Sequence, residues 1–138
     1  MKINIKTISI IFLFTIFQAS SGSTKSFSFV LQEKINKEYI YQTWYVKQIL
    51  INGKPDPENF PANNDELTLM KDFKFITIDK SFNVTEKGTW KWVGDDSFTV
   101  NGDSGPATFK IIELSKTNLR TKMINEEFSM EIIYSTTK

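Results

Sequence analysis

Beyond residue 42 the chain alternates apolar and polar positions in short runs, each closed by a turn signal. "TWYVKQILI" (43–51) ends on Asn52-Gly53, a pair that strongly favours a two-residue hairpin turn. "ELTLM" (66–70) and "FKFITID" (73–79) flank Lys71-Asp72, and "FNVTEKGTWKWV" (82–93) follows. "SFTV" (97–100) runs into the turn-rich "NGDSG" (101–105), and "ATFKIIELS" (107–115), "NLRTKMI" (118–124) and "FSMEIIYST" (128–136) complete the chain. A period of two is that of a strand with one buried face. The pattern predicts eight strands, or nine if 82–86 stands alone, and no helix of useful length. Connections this short make consecutive strands antiparallel neighbours in a meander.

An all-β meander of about eight strands is expected to close into an up-and-down antiparallel barrel, because closure removes both exposed sheet edges. A two-sheet sandwich is the competing architecture, but no long Greek-key crossover is visible. The one long connection, "NGKPDPENFPANND" (52–65), carries three prolines and is placed to act as a lid at the barrel mouth. The interior of such a barrel holds either packed side chains or one small ligand.

Alternation nominates the interior. Trp90 and Trp92 share a face, as do Phe73 and Phe75. Phe109, Ile111 and Glu113 form a further row, and so do Phe128, Met130, Ile132 and Tyr134. We therefore take Trp90, Trp92, Phe73, Phe75, Phe109 and Tyr134 as the candidate lining of a ligand cup. The same side chains would also serve as a filled core, and alternation does not choose between the two. On the first strand Trp44, Val46, Gln48 and Leu50 share one face, and Tyr45, Lys47 and Ile49 the other.

The amino terminus changes the picture of where the domain works. "MKINIKTISIIFLFTIFQASSGS" has two lysines, an apolar stretch from Ile8 to Phe17, and small residues at Ala19, Ser20 and Ser21. That order is the pattern of a cleavable secretory signal peptide, and the apolar stretch is short for a membrane span. We assign 1–21 to the signal peptide, 22–40 to a flexible lead able to form a short helix against one barrel end, and 41–138 to the barrel domain. The mature protein is expected to be exported (periplasmic or secreted), monomeric and without a membrane span. The absence of cysteine removes both a lipid-anchor site and disulfides, so the core alone holds the fold.

Without the leader the chain carries 15 basic and 16 acidic residues, which gives no reason to expect nucleic acid as a partner. No histidine is present, which excludes Ser-His-Asp and Cys-His catalysis and histidine-held metals. The carboxylate pairs Asp95-Asp96, Asp56 with Glu58, and Glu126-Glu127 lie in turns and read as solvated bends rather than as acid–base or calcium sites. Asp79 and Glu113 fall where alternation brings them beside Phe75 and Phe109, either buried with a partner or exposed at the rim. "NVT" (83–85) matches a glycosylation acceptor and is expected to be unused. We expect no enzyme, no cofactor and no metal.

"TWYVKQILING" with its long following loop, "LTLMKDFKF", "GTWKW", "FKIIELSKTNL" and a closing strand together resemble the lipocalin-like domains of exported Bacteroidetes proteins. The resemblance runs over residues 40–136. It implies a calycin-type barrel and a small apolar ligand. It also implies that Trp44, the first-strand tryptophan, forms the barrel floor and packs against a late-strand arginine, here Arg120. The alternative is a protein-interaction or inhibitor module, with an envelope protein as partner, a filled barrel and an exposed apolar patch around Phe60 and Pro61.

Overall fold

A computed structural model describes residues 34–138. The leader (1–21) and most of the lead (22–40) lie outside the described residues. A single 3₁₀ turn, Lys37–Ile40, precedes nine strands. They are β1 (Thr43–Ile51), β2 (Lys54–Pro55), β3 (Glu66–Leu69), β4 (Lys74–Asp79), β5 (Val84–Val93), β6 (Ser97–Gly102), β7 (Gly105–Leu114), β8 (Asn118–Ile124) and β9 (Ser129–Ser135).

Every strand from β3 to β8 pairs antiparallel with its successor, and β1 pairs with both β3 and β9. The sheet is therefore closed, an eight-stranded barrel with the two-residue β2 hairpinned onto the end of β1. Asn52 and Gly53 both have positive φ, the geometry an Asn-Gly hairpin turn requires. The turn is tied to β9 by hydrogen bonds from Asn52 N–H to Ser129 O (2.8 Å) and from Ser129 N–H to the Asn52 side chain (3.0 Å).

Inward-facing residues alternate along each strand, with two interruptions. The register shifts by one residue between Val46 and Gln48 on β1, and again between Ile111 and Glu113 on β7. Such a bulge moves every later side chain to the other face. Ile49 thus turns inward while Gln48 is exposed, against the simple alternation that put Gln48 with Trp44 and Val46. By the same shift Glu113 lies exposed on the outside, and Leu114 takes the inward place that alternation gave to Glu113.

One end of the barrel is plugged. Ile40, at the end of the 3₁₀ turn, and Trp44 are both fully buried there, and Trp44 Nε1–H donates to Ile40 O at 3.1 Å. Trp90 donates its own indole N–H to Met70 O at 3.0 Å. Tyr41, Phe73, Trp92 and Phe98 surround the Trp90 ring with centroid separations of 5.6–6.2 Å. The Trp44 and Trp90 indole nitrogens thus each have a partner, which lets these two large rings be buried without an unsatisfied donor.

Candidate functional site

Above this plug the barrel is hollow. A cavity of about 220 Å³ opens toward the end where β4 meets β5 and β6 meets β7. Its deep wall is Val46, Leu67, Phe75, Phe98 and Tyr134, and its upper wall includes Ile49, Val100, Ala107, Phe109, Met130 and Ile132. Phe98 and Phe109 stack at 5.5 Å and form one continuous aromatic side. The volume lies below the ~300–1,000 Å³ of drug-sized sites, and above the ~150 Å³ of an apolar cavity that holds benzene.

Phe75 owes its position to Gly88, its register partner on β5. A Cβ at Gly88 would collide with the Asn101 carbonyl and lie 2.7 Å from the Phe75 ring. The missing side chain lets the ring lie against the strand, which keeps the space above it open. The glycine of "GTWKW" is thus a packing device of the cavity wall.

The mouth is polar. Asp65, Glu66, Asp79, Glu86 and Ser104 rim it, together with Asn59, Phe60 and Pro61 of the long connection and the exposed Phe82. Phe60 folds inward against Met123, Met130 and Ala107, held by its N–H to Asp56 O (2.8 Å). Glu86 accepts from Ser104 N–H at 2.8 Å, and Asp79 accepts from Phe82 N–H at 3.0 Å. Lys80 Nζ reaches Glu66 at 3.0 Å and Lys138 Nζ reaches it at 3.5 Å, and the Lys80 contact chiefly holds the Glu66 carboxyl below its ordinary range. Burial pushes the Asp65 carboxyl up, against the Lys80 N–H it accepts, with the negative Asp79 adding to the rise. Among the described residues no three acidic side chains converge as a metal site, and no helix is long and apolar enough to cross a membrane.

The structure divides the six nominated lining residues. Phe75, Phe109 and Tyr134 line the cavity. Trp90 and Trp92 face inward but sit below it, in the plug, because period-two alternation gives the face of a residue and not its height in the barrel. Phe73 is not on a strand at all. It closes the β3–β4 turn with φ +61° and is 48 % exposed, its ring against Trp90.

The floor pair is also corrected. Trp44 is fully buried at the closed end, but Arg120 lies between inward-facing Leu119 and Thr121 and therefore points outward. Its guanidinium bonds Glu131, with Nε at 3.0 Å from the carboxylate. Of the acids, Asp79 stands at the rim and Glu113 is exposed. Sequence reasoning missed Val46, Phe98, Val100 and Ala107, although each lies at an inward place in a run whose period was visible. Ile49 was hidden by the bulge.

No family model matches the sequence, and neither does any curated protein. Among solved structures the chain is similar to a lipocalin-like protein from Bacteroides uniformis. The TM-score is 0.55 at 17% identity, over 72% of this chain and 99% of that one. The fold is lipocalin-like, an eight-stranded antiparallel barrel.

Proposed function

We propose that this is an exported lipocalin-like protein that binds a small apolar molecule inside the barrel. The observation that carries the reading is the unfilled 220 Å³ cavity, walled by apolar side chains, closed at one end by Trp44 and Trp90 and open at the other. A barrel built only as a scaffold gains by filling such a space, since dispersion contacts are lost around a void. The interaction-module alternative would draw support from an exposed Phe60 and Pro61, but both are partly buried and line the cavity mouth.

Ala107 is buried midway up the wall, so Ala107→Phe would place a ring in the cavity. Ethylbenzene titrated calorimetrically into the folded parent is expected to bind saturably, with affinity in the variant reduced at least about tenfold, since overpacking leaves it no room. No saturable heat from the parent with ethylbenzene or with like-sized polar derivatives of it rejects the reading. Export rests on the leader pattern of residues 1–21. Protein recovered from its host should begin within a few residues of Gly22, and a mature chain starting at Met1 would reject it.

A further inference from the structure

We propose that the cavity selects an uncharged molecule that enters with an oxygen leading, that Tyr134 hydrogen-bonds this oxygen at the deep end, and that the corresponding carboxylate is rejected. This rests on the ligand-binding reading above and names the ligand's chemistry. Tyr134 lines the cavity and is only 5 % exposed. The polar neighbour of its hydroxyl is Thr121, on the adjacent strand β8. Thr121 is fully buried, and its Oγ1 has no hydrogen-bond partner. The Thr121 hydroxyl, beside that of Tyr134, is thus a buried polar group with its bonding capacity unfilled, which is unfavourable unless something completes it. Each hydroxyl both donates and accepts. A Thr121 hydroxyl that turns to donate toward Tyr134 leaves the Tyr134 O–H free for an oxygen on the ligand. Burial raises the Tyr134 pKa, so the phenol stays protonated and able to donate.

Charge narrows the class further. Among the described residues no lysine or arginine lines the cavity. The Lys80 ammonium, at the rim, is held by Glu66 and by the Asn64 carbonyl at 2.7 Å. Four carboxylates, Asp65, Glu66, Asp79 and Glu86, stand at the mouth instead. An anion would pass this rim and then lose its hydration with no cation to replace it. A ketone, ester or alcohol meets neither obstacle. Scaling from the ~150 Å³ that holds benzene, 220 Å³ suits a molecule of about nine non-hydrogen atoms.

Ethylbenzene, 2-phenylethanol and phenylacetate share one apolar body and differ in the leading group. Calorimetric titration of each at pH 7 into the mature protein and its Tyr134→Phe variant tests the inference. In the parent, phenylacetate is expected to bind at least about tenfold more weakly than 2-phenylethanol. In Tyr134→Phe the preference for 2-phenylethanol over ethylbenzene should fall about three- to tenfold, the worth of one hydrogen bond. An unchanged preference removes Tyr134 from recognition, and phenylacetate binding as tightly as the alcohol removes the charge argument. Either result overturns the inference while leaving a ligand-binding barrel intact. Saturable binding by none of the three rejects the ligand-binding reading itself, and this one with it. Circular dichroism of the variant, which keeps the aromatic ring, separates a binding effect from misfolding.

Discussion

Glu131 lies on the outer face of β9, with its side chain only 14 % exposed and two cations beside it. Arg120 bonds it from β8, and Lys122, its direct register partner, approaches to 3.5 Å. The Arg120 contact chiefly holds the Glu131 carboxyl below its ordinary value of 4.5. A carboxylate whose folded pKa is depressed contributes stability above its unfolded pKa, and that contribution is lost as pH falls through the folded value. Arg120 is 40 % exposed, so solvent screening limits the pair to about 0.5–1 kcal/mol. Glu131→Gln should lower stability by about that amount at pH 7 and by progressively less as pH falls below the ordinary value of 4.5 and through the depressed folded one. Urea unfolding at pH 7 and pH 3 checks this, and an equal loss at both would show that the charge is irrelevant. Arg120 thus joins two strands from outside, while Trp44 is satisfied by a backbone carbonyl within. The expected stacking of the two fails on parity alone, since residues 119 and 121 are the inward ones.

Strands and turns were the most legible elements, because their signals are local. The alternating runs named eight strands in order, and Asn52-Gly53 named its turn with the φ values it adopts. The bulges near Lys47 and Ile112 were not legible. A bulge leaves the apolar content of a strand unchanged and alters only which residues share a face, so its signal lies in the pairing partner. That is why simple alternation groups Ile49 with Tyr45 and Lys47, and Glu113 with Phe109 and Ile111. The β3–β4 turn was misjudged for another reason. Lys71-Asp72 is the centre of the turn, with Phe73 N–H bonded to Met70 O at 3.1 Å, but Met70 N–H bonds Lys74 O, so Phe73 is a third loop residue and not the first of β4. Phe73 adopts an unusual left-handed conformation there, which takes it off the Phe75 face. For the site, period two found the inward faces of β4, β7 and β9, and with them Phe75, Phe109 and Tyr134. Height along the barrel axis depends on how far each strand is staggered against its neighbour, which no single strand records. The tryptophans therefore looked like a cup and form its base.

At the scale of the whole molecule, the hollow interior depends on closure. The seam between β1 and β9 runs from Tyr45↔Ser135 to Ile51↔Met130, and it is the one barrel junction between strands distant in sequence. Every other junction joins neighbours or, for β1 and β3, spans the long connection and only three register pairs. Ile49 and Ile132 are register partners on the seam and both line the cavity, so an open seam would expose the wall to water. The plug reinforces the arrangement, because Ile40 and Trp44 enter a core that Leu119 and Tyr134 reach from the far end of the chain. A sheet held this way has no edge from which to fray, and its seam should open only with the molecule. Amide exchange read by NMR is expected to give Ile49 and Ile132 opening free energies within about 1 kcal/mol of those in central strand β6. Protection in β1 and β9 several kcal/mol below that of β6 would mean that the seam breathes independently. Ligand entry would then run through the wall rather than past Phe60 and Phe82 at the mouth. Uniform protection leaves the rim as the route, with the carboxylates there as the first groups an entering molecule meets.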